Sequence, residues 1–372
     1  MKQGVDHLSL RKKAALALYR TYRSNEASLH NLNYIFWECT LRCNLNCRHC
    51  GSDCTRETGV PDMPGRDFLR ALDEVRDLVD PHETMVVFTG EALLRTDLEE
   101  VGRALYDRGF PWGVVTNGML LDKARLDSLL AAGMRALTLS LDGLEDTHNR
   151  FRGSARSFGR SARALEWLAG VPDLTWDVVT CVHPGNFHEL EALKEFLIER
   201  GTPAWRMFTV FPIGRAQMNT DLQLPPAEFR ALFDFIRATR AEGRIRARYG
   251  CEGFLGSYEM EVRDDFFHCR AGINVASVLC DGSISACPNL RANYIQGNIH
   301  RDNFREVWET RFQRHRDRSW TRTGICAQCK HYKDCQGNGL HLRDEKTGEL
   351  LFCHLQRLRE GENEAVSTKD KE

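Results

Sequence analysis

Three cysteines, Cys43, Cys47 and Cys50, stand in the run C-N-L-N-C-R-H-C directly after the apolar stretch Tyr34-Ile-Phe-Trp37. Thiolates are soft ligands suited to zinc or iron–sulfur centres, and these spacings let one short loop wrap a single centre. Zinc is the plain alternative for an isolated trio. A four-iron cluster held by only three protein thiolates keeps one iron open to a ligand from outside the chain. A second cysteine field, Cys269, Cys287, Cys326, Cys329, Cys335 and Cys353, lies toward the other end of the sequence.

The elements that must position these thiols alternate. Strand-like runs fall near 34–39, 84–89, 112–117, 136–141, 175–183 and 204–211. Amphipathic helical patterns fall near 65–79, 97–108, 123–132, 157–169, 187–200 and 226–242. Six βα units with short connections imply a parallel sheet with helices outside, and right-handed crossovers curl it into a partial (β/α)6 barrel of the α/β class. Ligands of such sheets sit at the carboxyl ends of the strands. Ahead of the first strand, Leu10, Ala14, Leu18 and Tyr22 have helical spacing, which predicts an N-terminal helix packed on the main domain. Past Arg359 the chain is highly charged without an apolar face, and disorder is expected there.

Composition excludes several classes. The chain has 372 residues, 42% of them apolar, and a net charge of −1, which leaves no basic excess for a nucleic-acid partner. Arg11, Lys12 and Lys13 interrupt the early apolar residues, so neither a signal peptide nor a membrane span is expected. Fourteen cysteines in such a chain suit reduced, cytoplasmic thiols that serve as ligands better than disulfides. Cys39 and Cys181 read as core packing. Cys54, four residues past Cys50, is close enough to the loop to face the site as a candidate for acid–base or thiol chemistry.

The C-x3-C-x2-C run followed by a βα pattern resembles the radical S-adenosylmethionine (SAM) family. That resemblance implies a [4Fe–4S] cluster on Cys43, Cys47 and Cys50 whose open iron binds SAM, reductive cleavage of SAM to a 5′-deoxyadenosyl radical, and hydrogen abstraction from a substrate. It implies an electron donor such as flavodoxin or ferredoxin. Phe88-Thr-Gly-Glu-Ala92 is similar to the family's Gly-Gly-Glu-Pro motif for the SAM amino group, with one glycine missing and alanine in place of proline. Gly90 and Glu91 are its candidates. Further SAM contacts implied by the resemblance are Asn117 in Val115-Thr-Asn-Gly118, Ser140 before Asp142-Gly143, and Arg152 in His148-Asn-Arg-Phe-Arg-Gly153 as the carboxylate ligand. Asn186 in Val182-His-Pro-Gly-Asn186, and the segment Pro212-Ile-Gly-Arg-Ala216, look like ribose and adenine contacts.

The second field is similar to the SPASM extension of that family. Cys269 precedes Gly282 by twelve intervening residues, Cys287 follows after four more, and Cys326-x2-Cys329-x5-Cys335 and Cys353 complete it. The resemblance gives Cys326, Cys329, Cys335 and Cys353 to a second auxiliary cluster. Gly339 stands where the family has a further cysteine for the first. That first cluster has Cys269 and Cys287, with Cys251 as a further candidate and Cys280, His341, water or substrate open as the fourth ligand. One or two auxiliary clusters are therefore expected. The implied organisation is an N-terminal helical segment at 1–30, a radical SAM barrel at 31–225, a bridge at 226–265, the SPASM domain at 266–356 and a charged tail at 357–372. SPASM relatives mostly modify peptides or proteins, so the leading expectation is oxidative modification of such a substrate. A small metabolite or cofactor precursor, or a non-catalytic iron–sulfur or zinc scaffold, are the alternatives. Gly51-Ser-Asp-Cys54 with the missing cysteine is also similar to a radical SAM subgroup associated with small lipoproteins.

Overall fold

The structure, a computed structural model, describes residues 4–250 and 252–369. Its sheet runs in the order β10-β9-β8-β1-β2-β3-β4-β5-β6-β7. The centre is β1 (Tyr34–Glu38), β2 (Met85–Thr89), β3 (Trp112–Thr116), β4 (Met134–Ser140), β5 (Thr175–Val182) and β6 (Ala204–Thr209), each parallel to its neighbour. These are runs such as Met-Val-Val-Phe-Thr, buried on both faces because helices cover the sheet. The covering helices are α2 (Gly65–Val75), α3 (Leu98–Asp107), α4 (Lys123–Ala131), α5 (Glu145–Arg152), α6 (Ser157–Ala169), the single turn α7 (Pro184–Phe187) and α8 (Leu190–Glu199). On the helix side Trp37 stacks on Phe68 of α2 at 4.5 Å, an aromatic contact that fixes how the first crossover helix lies on the sheet.

The six expected strands form the contiguous partial barrel, and the sheet continues beyond it at both edges. Residues 226–265, read as a bridge, hold α9 (Pro226–Glu242) and β7 (Arg246–Tyr249), which pairs in parallel with β6 as a further βα unit. At the other edge β8 (Val275–Val278) pairs in parallel with β1, followed by antiparallel β9 (Ser283–Ser285) and β10 (Gly297–Asn298). The cysteine-rich region is thus a continuation of the sheet from its first strand. It then winds through α10 (Phe304–Thr310), α11 (Gln313–Arg316), α12 (Tyr332–Cys335) and the start of α13 (His354–Lys369).

Two expectations are corrected. The N-terminal helix α1 (Leu10–Leu29) forms, but Leu10, Leu18 and Tyr22 face outward, 85%, 75% and 52% exposed, while Leu16 and Arg23 are buried. Guanidinium contacts choose the inward face. Arg20 pairs with Asp334 at 2.7 Å and Arg23 donates to the carbonyls of Lys333 and Asp334, which ties the helix to α12. The charged tail, expected to be disordered, is helical as α13 through Lys369 and lies along α9. Leu355 and Leu358, one turn apart, are buried, and Arg357 and Arg359 hold the Leu224 carbonyl and Asp6. Few apolar positions suffice when arginine stems also cover apolar surface.

Leu358→Ala is expected to cost about 2–4 kcal/mol through the cavity left between α13 and α9. An unchanged melting temperature in that variant would show that the tail does not dock.

Candidate active site

The strand ends β1 to β6 open on a cavity of about 250 Å3. Cys43, Cys47 and Cys50 all line it, on the loop that follows β1. Only local chemistry is needed to bring them together, and the rest of the fold holds the loop still. Cys43 N–H donates to the Thr55 carbonyl at 2.8 Å, closing the loop on itself. Arg215 donates from Nε to the Cys47 carbonyl and from Nη1 to the Cys54 carbonyl, both at 2.8 Å, while its backbone N–H reaches the Cys50 carbonyl at 3.1 Å. The Pro212–Ala216 segment, expected at the adenine, is therefore a clamp on the thiol loop.

A hydrogen bond from the Cys54 thiol, opposed by burial, brings Cys50 down to about 6, and the same bond together with burial pushes Cys54 up. Cys54 lines the cavity as expected, and its backbone N–H donates to Cys50 Sγ at 3.4 Å. Burial pushes the Cys43 and Cys47 thiols up, and metal ligation is what would relieve that cost.

Glu91 lines the same cavity and is 3% exposed. Thr116 Oγ1 donates to one carboxylate oxygen at 2.7 Å and Asn117 N–H to the other at 2.9 Å, yet burial outweighs both and raises its pKa to about 7. A cationic group entering the cavity would hold it ionised. The missing glycine is absorbed without strain. Thr89 is the last residue of β2 and pairs with Glu38 in regular strand geometry. Only Gly90 has a positive φ, +80°, and a Cβ there would lie 2.1 Å from the Thr40 carbonyl oxygen. One glycine is obligatory at this turn, and it is present.

Asn117 and Ser140 also line the cavity, Asn117 with its amide 3.6 Å from Cys43 Sγ and 2.8 Å from Asn44 Oδ1. Arg152 lines it too, but its guanidinium is already engaged. Nε pairs with Asp142 Oδ2 at 2.5 Å and Nη1 lies 3.7 Å from Cys47 Sγ. Burial works against both charges, but Arg152 keeps the Asp142 carboxyl at about 2, and Asp142 in turn holds Arg152 above its ordinary value. Arg152, expected to meet the SAM carboxylate, is thus half of a buried ion pair that also reaches the Cys47 thiol. Asn186 is corrected outright. It is fully buried and absent from the cavity lining, its amide donating to the carbonyls of Asp142 and Cys181 at 2.9 Å while Oδ1 accepts from His183 N–H at 2.8 Å. These bonds cap the β5 end and spend every polar atom of the side chain.

His49 and Cys181 line this cavity without having been expected there, and the buried Asp142 lies beside them. His49 stacks on Phe151 at 4.1 Å, Phe151 stacks on His183 at 4.1 Å, and Cys181, which packs against the apolar cluster of Phe151, Val210, Ala216 and Leu222 as expected, also lines the cavity wall. His49 carried a signal, since it lies between Cys47 and Cys50. The side-chain atoms of His49, Asp142 and Cys181 lie within 4.8 Å of one another, an approach that no local pattern announces.

In the second field, Cys326, Cys329, Cys335 and Cys353 come together. Burial and then the neighbouring Cys353, Cys326 and Cys329 push the Cys335 thiol up. Asn338 N–H donates to Cys335 Sγ at 3.2 Å and Arg343 to Cys326 Sγ at 3.4 Å, the kind of donors that orient and tune cluster ligands. Cys269 is buried, with its thiol held down by Arg318 and the Leu340 N–H against the opposing effect of burial. Cys287 is half-buried, and Cys251 lies outside the described residues. Cys280 turns elsewhere, 3.6 Å from the Pro61 carbonyl and beside Cys39 and Asp62. At Gly339 a Cβ would meet the Glu252 carbonyl at 2.6 Å and His341 Cε1 at 2.8 Å, so the His341 ring fills the space a cysteine side chain would need. The donor set of the thiol loop, three thiols and a buried carboxylate on one cavity, fits a cluster with an open iron.

Comparison with known proteins agrees with this geometry. Residues 37–197 match the family model for the radical SAM superfamily, and residues 269–330 match the SPASM iron–sulfur cluster-binding domain. A mycofactocin maturase MftC from Mycobacterium ulcerans is 30% identical over 319 residues, which cover 81% of each chain. The chain belongs to the radical SAM superfamily and carries a SPASM domain. An AdoMet-dependent heme synthase from Methanosarcina barkeri is 28% identical over 321 residues, 82% of this chain and 90% of that protein. Two solved radical SAM structures share the fold. The SAM-bound SuiB of Streptococcus suis has a TM-score of 0.67 at 18% identity, covering 90% of this chain and 80% of that one. The SAM-bound anSMEcpe has a TM-score of 0.68 at 18% identity, covering 91% and 97%. As a radical SAM/SPASM protein the chain is an enzyme that uses a [4Fe–4S] cluster with SAM and auxiliary iron–sulfur clusters. Among the described residues no helix is long and apolar enough to cross a membrane.

Removing Asp142 leaves the Arg152 charge buried and unpaired, so Asp142→Ala is expected to cost about 3–5 kcal/mol in the cluster-free chain. The Asp142→Ala/Arg152→Met double variant should melt higher than the sum of the two single losses predicts, and simple additivity would refute the ion pair. Gly90→Ala forces a methyl into the Thr40 carbonyl at a left-handed φ and is expected to lower SAM affinity and stability together, by about 1–3 kcal/mol in stability. Retained SAM binding at unchanged melting temperature would show that the turn adapts.

Proposed function

We propose that Cys43, Cys47 and Cys50 hold the SAM-binding cluster, that Glu91 and the backbone around Gly90 receive the SAM amino group, and that the enzyme oxidatively modifies a peptide or protein. The placement of the three thiols and the buried Glu91 on one cavity carries the first part. The identity to the mycofactocin maturase over four-fifths of both chains supports the substrate class. When bound, the cluster and SAM supply one-electron chemistry and the radical that takes a hydrogen atom from the substrate. The chain's own work is positional. Arg215 fixes the thiol loop, Asp142 and Arg152 orient Cys47 from beneath, Asn117 lies against Cys43, and Ser140, Val179, Val210 and Phe211 wall the cavity against water. Cys326, Cys329, Cys335 and Cys353 form the ligand set of one auxiliary cluster, and Cys269 with Cys287 remains the candidate pair for another.

A second reading has its own support. The heme synthase relative aligns over nine-tenths of its length, which favours a tetrapyrrole cofactor precursor as substrate.

After anaerobic reconstitution with iron and sulfide, the wild type is expected to form 5′-deoxyadenosine from SAM on reduction. The Cys43→Ala/Cys47→Ala/Cys50→Ala variant should lose that product and about four irons while it keeps the auxiliary iron. Continued cleavage by the triple variant would remove the site assignment. With precursor peptides encoded beside the gene, mass spectrometry should show a SAM-dependent mass change. Modification of an iron-coproporphyrin and of no peptide would establish the second reading in its place.

A further inference from the structure

A second cavity, of about 430 Å3, meets the first only at Cys43. Arg42, Arg56, Arg156 and Arg160 line it together with Leu94, Met119 and the exposed Leu120, and no carboxylate does. Arg42 is paired with Asp62. Arg56, Arg156 and Arg160 are exposed and form no ion pair among the described residues. On a chain of net charge −1 this is a local concentration of unneutralised positive charge. It comes from two places in the sequence: Arg56 past the thiol loop, and Arg156 and Arg160 at the start of α6. Apolar side chains set among charged ones suit a protein contact, and one-signed charge steers a partner of the opposite sign.

The reaction assigned to the inner cavity consumes an electron that no residue of the chain supplies. Glu91 and the strand ends, read as the SAM side of the site, lie on the inner cavity. The outer cavity offers a partner the other approach to the same thiol. We propose that the face formed by Arg56, Arg156 and Arg160 is the docking site of an acidic one-electron carrier protein, flavodoxin-like or ferredoxin-like, that reduces the cluster past Cys43. The proposal rests on the radical SAM reading of the thiol loop. In the step, the reduced carrier loses one electron and the cluster gains it, and no bond forms or breaks between the two proteins.

The test compares two reductants on the reconstituted enzyme. Photoreduced 5-deazariboflavin carries no net charge to be steered, whereas a recombinant acidic flavodoxin does. In the Arg56→Gln/Arg156→Gln/Arg160→Gln variant, 5′-deoxyadenosine formation driven by deazariboflavin is expected to stay within about twofold of wild type, as for surface substitutions. With flavodoxin, kcat/KM for the carrier should fall about tenfold or more, and its Kd measured calorimetrically without SAM should weaken by a similar factor. Raising salt should slow the flavodoxin reaction of the wild type and leave the variant nearly unaffected. Flavodoxin kinetics and affinity unchanged in the variant would overturn the proposal. An equal fall with both reductants would overturn it as well, and would assign the arginines to a polyanionic substrate or to the cluster. A wild type that makes no 5′-deoxyadenosine with deazariboflavin would instead remove the radical SAM reading beneath it.

Discussion

Asp142 and Arg152 form an ion pair with almost no access to water, at the point where the barrel strands end. Each charge alone would be costly there, and together they bind five pieces of chain. Asp142 accepts from Arg152 of α5 and from the Cys181 N–H of β5 at 2.8 Å. Its own N–H donates to His148 Nδ1 at 2.9 Å, and its carbonyl accepts from Asn186 of α7. Through Arg152 the pair reaches Cys47 on the loop after β1. The thiol loop is therefore referenced to the ends of β4 and β5, and a shift in those strands would be felt at the Cys47 thiol.

A comparable buried network joins the barrel to the cysteine-rich region. Thr209 at the end of β6 donates to Glu252 at 2.7 Å, Tyr249 at the end of β7 bonds the same carboxylate, and His354 meets Tyr249 at 2.9 Å and Glu252 at 3.3 Å. His354 directly follows Cys353, the last thiol of the auxiliary set. Burial opposes the charge on Glu252, and the hydrogen bonds of His354, Tyr249 and Thr209 hold its pKa below the ordinary value all the same. Satisfied networks of this kind rigidify what they connect. Both thiol sites are thus fixed relative to one sheet, which favours constant separations between redox centres.

The charge layout separates the two approaches to the thiol loop. The inner cavity keeps its charges compensated or conditional, with Arg152 neutralised by Asp142 and Glu91 poised near neutrality by burial. The outer cavity leaves three arginines uncompensated in solvent. Burial of an unpaired charge is expensive and exposure of one is nearly free, so the free charge collects where a partner could meet it.

By itself the sequence determined the features whose physics is local. The spacing of Cys43, Cys47 and Cys50 lets them share one centre, and the six apolar runs with intervening amphipathic helices define the parallel barrel through periodicity. That one glycine suffices at this turn was not readable, since the φ of Gly90 and its approach to the Thr40 carbonyl appear only in the folded chain. Tertiary structure decided the rest, because partners distant in sequence compete for the same side chain. Arg152 carries a guanidinium suited to a carboxylate, and the fold delivers Asp142 to it before any ligand arrives. Asn186 is claimed by two carbonyls, and Arg215 by the thiol loop. On α1 either face is apolar enough to pack, and it is Asp334, more than three hundred residues from Arg20, that selects the one turned inward.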